Sequence, residues 1–332
     1  MIRSIKKPKP IARTKKYNIL SNILYYKKES YINSLLLFSD MKVVITIPAY
    51  NEEKTLGLVI KEIINVMDKT SYNYQILVLD DGSKDRTIEI SKKNSAVVVS
   101  NKRNLGLAET FKNEMKECLK LNADIIVHTD ADGQYPSFYI PEMIKKVEQG
   151  YDLVLGSRFG KGSYGNDSFM KKLGNRAFAR VFSKLLKTKL TDTTTGFRAF
   201  TSEVAQLPLI NTFTYTQEQL IRAGKAKMKI AEVPIRTNKT RPSKLFRNPF
   251  DYAVKAWINI FRIYRDFEPL KFFGRIGLMF IIAGVLIGLF ILYKIITVGS
   301  AGGIPRVILS MLLILVGIQI AFFGFLADMN RK

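Results

Sequence analysis

One cysteine and one histidine occur among the 332 residues. A lone Cys118 excludes an intrachain disulfide, and a lone His128 excludes a histidine-cluster metal site. Cys118 falls in a helical pattern and reads as a packing residue. His128 follows a buried strand and reads as structural rather than catalytic. Acidic side chains are also scarce: 28 Asp and Glu stand against 52 Lys and Arg, a net charge of +24. That balance points to an anionic partner. Neither a Gly-x-Gly-x-x-Gly turn nor a phosphate-loop lysine motif is present, which excludes the dinucleotide and ATPase loops built on them. The first 40 residues are basic but lack an apolar core followed by a small-residue cleavage site, so no secretory signal is expected. They read as a basic extension, disordered or lying on a membrane surface, or as an upstream addition to a chain whose natural start is Met41.

Long apolar runs, by contrast, are plentiful at the other end. Ile276 to Tyr293 and Val307 to Ala327 carry no charge over 18 and 21 residues. Each is long enough for a bilayer core. The short link between them predicts a transmembrane hairpin in residues 273–332, with spans at about 275–296 and 305–327. The anionic partner is then a lipid bilayer or a phosphorylated substrate, and no nucleic acid is expected. Gly284 and Gly288 are spaced for close helix contact, and the hairpin offers a route to a homo-oligomer. Lys271, Arg275, Arg331 and Lys332 on one side, against Lys294 and Arg306 on the other, weakly favour a cytoplasmic catalytic domain in a multi-pass cell-membrane protein.

Upstream, strand and helix patterns alternate from residue 42 to about 160, which predicts an α/β fold with a mostly parallel, doubly covered sheet. Strands are expected at 42–47, 74–79, 96–100, 124–129 and 152–156, and an edge strand at 230–235. Polar motifs stand at the strand ends, where open α/β sheets bind ligands. Pro48-Ala49-Tyr50-Asn51-Glu52-Glu53 follows the first strand, and Tyr50 and Glu52 suit a base and a ribose. Asp80-Asp81-Gly82-Ser83 follows the second. Asp130-Ala131-Asp132-Gly133-Gln134 follows the fourth, and Gly133 and Pro136 supply the turn that lets both carboxylates reach one site. Oxygen ligands with no paired His or Cys suit Mg²⁺ or Mn²⁺. Met170 to Leu190 alternates apolar groups with seven basic residues and no acid, which predicts a basic amphipathic helix, about 170–189, lying in a membrane interface. Thr191 to Arg198 reads as a hydroxyl-rich turn. The aromatic stretch within 241–272 reads as a second interfacial segment.

These ordered motifs, with Gly156-Ser157-Arg158-Phe159 and Thr195-Gly196-Phe197-Arg198, resemble those of glycosyltransferase family 2 and, within it, the dolichol-phosphate mannosyltransferase and polyprenyl-phosphate glycosyltransferase branch. The resemblance covers residues 42 to about 270 and implies a GT-A-like nucleotide-diphospho-sugar transferase domain within 41–240. It implies that Pro48, Tyr50, Glu52, Val78 and Asp80 hold the nucleoside, and that Asp130 and Ala131 line the donor site. Asp132 and Gln134 would bind the metal. Arg158 would meet the acceptor lipid phosphate, helped by Arg176. Arg198, Arg241 and Lys244 are looser candidates for donor or acceptor phosphates. The implied reaction moves a hexose, mannose first among the candidates, from a nucleotide diphosphate sugar to a polyprenyl or dolichyl phosphate with inversion. The same chemistry with UDP-glucose or another UDP-sugar is the alternative. A processive polysaccharide synthase is disfavoured because Trp257 does not stand in a Gln-x-x-Arg-Trp motif. A non-catalytic adaptor for anionic lipid is disfavoured because clustered carboxylates weaken anion binding unless a metal is present.

Overall fold

A computed structural model describes residues 41–160, 169–209, 215–238, 258, 261–262, 264–300 and 303–329. The chain divides into two compact units, Met1–Pro242 and Ser243–Lys332. The N-terminal extension, most of the expected second interfacial segment, Arg241 and Lys244 lie outside the described residues.

The first unit is built on a seven-stranded sheet in the order β3-β2-β1-β4-β6-β5-β7. Its strands are β1 (Lys42–Ala49), β2 (Asn73–Asp80), β3 (Val97–Ser100), β4 (Ile125–His128), β5 (Leu153–Ser157), β6 (Arg198–Thr201) and β7 (Ile230–Pro234). β1 is a run of β-branched residues buried on both faces, as a central parallel strand requires. Val43, Ile45 and Ile47 pack with helices α1 (Leu56–Met67) and α4 (Ile140–Glu148), whose apolar residues recur at helical spacing. On the opposite face Thr46 donates to Glu114 of α3 (Leu107–Lys120) at 2.7 Å, and Phe111 of α3 meets the His128 ring edge-on at 5.0 Å. Thr87–Lys93 forms the short α2 between β2 and β3.

The expected mostly parallel sheet is present, with one departure. β6 runs antiparallel to both neighbours, His128 pairing with Arg198 on one side and Leu155 with Arg198 on the other. Four residues that include a buried arginine give too short an alternation to read as a strand. The hydroxyl-rich turn expected over Thr191–Arg198 is present up to Phe197, and the strand that begins at Arg198 was not expected. β7 lies at the sheet edge, where its terminal Pro234 can be accommodated.

Helix α5 (Phe169–Leu186) covers most of the stretch expected to be helical at about 170–189. Phe178, Ala179 and Phe182 are buried within the domain, while Arg176, Arg180, Lys184 and Lys187 are exposed. A Cβ added at Gly224 of α7 (Tyr215–Lys225) would stand 2.5 Å from Leu186, so α5 and α7 pack closely. The three buried side chains of α5 face its own domain, and the basic residues face outward. Between these helices, Ser202–Ala205 adds a single turn, α6, after β6.

The second unit is an antiparallel helix pair, α8 (Pro269–Val298) and α9 (Ile304–Met329), both long and apolar enough to cross a membrane. Only 17% of the most apolar window of each is buried, unlike core helices of a soluble domain. The seam repeats every seven residues: Gly277, Gly284 and Ile291 on α8, and Ser310, Gly317 and Gly324 on α9, are buried. A Cβ on Gly317 would lie 2.6 Å from the Gly277 carbonyl oxygen, and Ser310 Oγ donates to the Gly284 carbonyl at 2.8 Å. Small residues let the backbones touch, as in membrane helix pairs generally. Gly284 is at this contact as expected, but Gly288 meets only Ser310 Oγ, at 3.2 Å from a built Cβ. Gly317→Val should therefore destabilise the hairpin by about 1–3 kcal/mol. Thermal unfolding of the full chain in detergent should show the loss, with Gly288→Val costing less.

Candidate functional site at one edge of the sheet

β1, β2, β4, β5 and β7 end at the edge where β6 begins, because β6 alone runs the other way. The loops after β1 and β2 are stitched together. Asn51 N donates to Ser83 Oγ, Glu52 N to Thr87 Oγ1 at 2.9 Å, and Glu53 N to Asp85 at 3.1 Å. Asn51 returns the favour through Oδ1, which accepts from Lys84 N, and takes the left-handed φ of 54° that asparagine tolerates. Tyr50 stands 43% exposed above this platform and Glu52 is half-buried. Pro48 and Ala131 are buried beside it. Two other residues expected at the nucleoside are placed differently. Asp80 is buried and its carboxylate accepts from Gly82 N and Ser83 N at 3.2 Å, so it shapes the turn. Val78 is 0% exposed inside the core, so its side chain offers no surface to a base.

The acidic turn follows β4. Asp132 Oδ1 accepts from Gln134 N at 2.9 Å, and Gly133 adopts the left-handed φ of 72° that the turn needs. Among the described residues no hydrogen bond reaches Asp130's carboxylate. Burial first, and then the charge of Asp132, push its pKa up to about 6, against the opposing pull of His128 and Arg158. Gly196 leaves room for this carboxylate: a Cβ there would stand 3.2 Å from Asp130 Oδ1. Beneath it His128 Nδ1 lies 2.8 Å from the Gly196 carbonyl, and Nε2 lies 3.4 Å from Glu114. Burial alone would lower the His128 pKa, but the Glu114 carboxylate outweighs it and raises it. The imidazole thus ties the two loops together from below, in keeping with the structural role read for it.

Arg158, at the end of β5, is held by a residue that the sequence reading passed over. Asp192 accepts from Arg158 Nε at 2.7 Å and from Nη2 at 3.1 Å, and Nη2 also donates to Thr194 Oγ1 at 2.8 Å. Asp192 is fully buried; burial would raise its pKa, but the guanidinium holds it below the usual carboxylate range. Glu232 of β7 in turn accepts from Thr191 N and Asp192 N at 2.7 and 2.9 Å. The only trace of this in the sequence was the hydroxyl-rich Thr191–Thr195 stretch. Asn175 of α5 donates to the Thr191 carbonyl at 2.7 Å, which fixes the turn of helix that carries exposed Arg176. Arg198 is elsewhere. It is 0% exposed and donates to the carbonyls of Thr195 and Thr216 and to Gln219 Oε1, with burial pulling its pKa down to about 10. It braces the sheet and offers no surface to a lipid phosphate, which corrects that expectation.

The acidic turn fits the expected divalent cation. Asp130 is crowded by a second carboxylate, and Asp132 Oδ2 and the Gln134 amide make no hydrogen bond among the described residues. No three His, Cys, Asp or Glu converge among the described residues as a complete protein cage. Such a partial shell suits a hard cation that takes its remaining oxygens from substrate phosphates.

Residues 44–207 match the model of glycosyl transferase family 2. A dolichyl-phosphate hexose transferase of Haloferax volcanii is 35% identical over 205 residues, 60% of this chain and 82% of that protein. A UDP-N-acetylglucosamine–dolichyl-phosphate N-acetylglucosaminyltransferase of Methanococcus voltae is 30% identical over 60% of this chain and 86% of its own length. Glucosyl-3-phosphoglycerate synthase of Mycobacterium tuberculosis, solved with Mn²⁺, UDP and product, superposes with a TM-score of 0.54 at 20% identity, over 68% of this chain and 80% of that one. That likeness bears on the fold, which is α/β and GT-A-like.

The raised pKa of Asp130 has a thermodynamic consequence. The folded state binds its proton more tightly than the unfolded state, so the ionised carboxylate costs stability above pH 6, and the cost is gone below about pH 3.9. Asp130→Asn should stabilise the chain by about 1–3 kcal/mol at pH 8 in EDTA. Its melting temperature should converge on that of the native chain by pH 4.

Proposed function

The chain belongs to glycosyl transferase family 2, and on that premise we propose that it moves a hexose from a nucleotide diphosphate sugar to a polyprenyl or dolichyl phosphate at a membrane, with inversion at the anomeric carbon. The observation that carries this reading is the meeting, at one sheet edge, of the carboxylates of Asp130 and Asp132 with the Asp192-held guanidinium of Arg158. An acidic turn suits a cation-bound diphosphate. A fixed guanidinium suits the phosphate of an acceptor. Relatives named for dolichyl-phosphate transfer support the acceptor class, and the two apolar helices support a membrane location for it.

The chemistry follows from charge. The acceptor is a phosphate monoester anion, so it needs no strong base to become a nucleophile. One of its oxygens bonds to the anomeric carbon as the bond to the diphosphate breaks, and the electron pair leaves with the nucleoside diphosphate. Attack from the face opposite the leaving group inverts that carbon. Tyr50 and Glu52 would hold the nucleoside above the stitched loops, and Arg158, with Arg176, would orient the acceptor phosphate. Asp132 and Gln134 would hold Mg²⁺ or Mn²⁺, which when bound neutralises charge on the diphosphate. Mannose is the first candidate sugar from the sequence resemblance, and the relative that uses UDP-N-acetylglucosamine makes a UDP-sugar the rival. The flanking charge favours a cytoplasmic active site.

Asp132→Ala should lower transfer by about 10²–10³ while the chain still folds and melts cooperatively in EDTA. Membranes carrying the chain, given polyprenyl phosphate and a panel of labelled GDP-mannose, UDP-glucose and UDP-N-acetylglucosamine, should form a glycosyl phospholipid from at least one donor, and EDTA should stop it. Failure with every donor, or full activity in Asp132→Ala, would overturn the reading.

A further inference from the structure

The segment that leaves β7 returns to the acidic turn. Ile235 N donates to the Ser157 carbonyl at 2.9 Å, and Arg236 N donates to Tyr139 Oη at 3.1 Å. Two residues on, Asn238 meets the turn itself. Its backbone N–H donates to the Gln134 carbonyl at 2.9 Å, and its side-chain Nδ2 donates to the Gly133 carbonyl at 3.0 Å. Both carbonyls of the turn are therefore tied by one residue, across more than a hundred positions of sequence. The third restraint is internal, from Gln134 N to Asp132 Oδ1. Gly133, at φ 72°, is the conformationally loosest residue of the turn, and its carbonyl is the one that the Asn238 side chain takes.

We infer that Asn238 is a positioning residue for divalent-cation binding, holding Asp132 and Gln134 in ligating register through their shared backbone. The inference rests on the reading of this edge as a metal–diphosphate site. It extends that reading to a residue outside the five motifs, in the segment that follows β7. The physical reason is pre-organisation. With the Gly133 and Gln134 carbonyls engaged by Asn238, the turn keeps Asp132 Oδ2 and the Gln134 amide as its uncommitted oxygens, already on one short arc of backbone. Without the side-chain bond the Gly133–Gln134 peptide keeps only the internal bond from Gln134 N to Asp132 Oδ1, and the cation must complete the ordering of the turn as it binds. Groups that orient metal ligands from behind commonly change affinity by ten- to a hundredfold when removed.

The test uses the full chain in detergent, with Mn²⁺ titrated in the presence of saturating GDP or UDP and free Mn²⁺ followed by electron paramagnetic resonance. Asn238→Ala keeps the backbone bond to Gln134 and should still fold, with a melting temperature in EDTA equal to that of the native chain. Its Mn²⁺ dissociation constant should rise roughly tenfold. Asn238→Asp preserves size but cannot donate to the Gly133 carbonyl, so it should bind Mn²⁺ no better than the alanine variant. An unchanged dissociation constant in Asn238→Ala overturns the inference, as does tighter binding in Asn238→Asp, which would mark position 238 as acting by charge. If the native chain binds no Mn²⁺ with either nucleotide, the reading of the site falls and takes this inference with it. If the native chain binds and Asn238→Ala binds equally well, only the inference falls.

Discussion

The antiparallel ladder of β6 is the constraint on which the site depends. Arg198 pairs with His128 on one side and with Leu155 on the other, so the residues just before β6 must emerge beside the residues just after β4 and β5. A parallel strand in that place would deliver Thr191–Phe197 to the opposite edge. Instead Gly196 lies against Asp130, and Asp192 lies against Arg158. The buried guanidinium of Arg198 reinforces the arrangement. Its bonds to the Thr195 and Thr216 carbonyls tie the start of the strand to α7, where an unpaired charge would be costly to bury.

Charge at this edge is managed in pairs. In the Asp130–Asp132 turn the pKa of Asp130 is raised chiefly by burial, with the Asp132 charge adding to it and His128 and Arg158 opposing. The Arg158–Asp192 pair is balanced and rigid, with Glu232 anchoring the backbone of Asp192 from β7. Two neighbouring carboxylates attract a cation, and a guanidinium with fixed orientation selects planar or tetrahedral oxyanions by geometry. A chain with net charge +24 could attract anions almost anywhere on its surface. What distinguishes this edge is the fixing of Arg158 by the loop before β6, itself anchored to Glu232 of β7.

The two long helices and α5 show how one sequence property can have two physical outcomes. All three carry apolar side chains at helical spacing. In α8 and α9 the apolar surface is far larger than the narrow glycine-rich seam can cover, and most of it is exposed. In α5, Phe178, Ala179 and Phe182 are buried in their own domain, and the described basic residues form the outer face. The first unit is joined covalently to two helices long and apolar enough to cross a membrane, whatever α5 does.

The strand-end motifs were legible in the sequence because a parallel sheet brings successive strand ends to one edge, so alternation of strand and helix already implies convergence of Tyr50, Asp132 and Arg158. The hairpin was legible because the length of an uncharged run is a direct measure of bilayer thickness. Tertiary structure alone decided the direction of β6, the burial of Val78 and Arg198, the docking of α5, and the pairing of Asp192 with Arg158 and of Asn238 with the acidic turn. Those outcomes depend on which residues become neighbours across long stretches of chain, and burial and hydrogen bonding belong to the neighbourhood rather than to the residue.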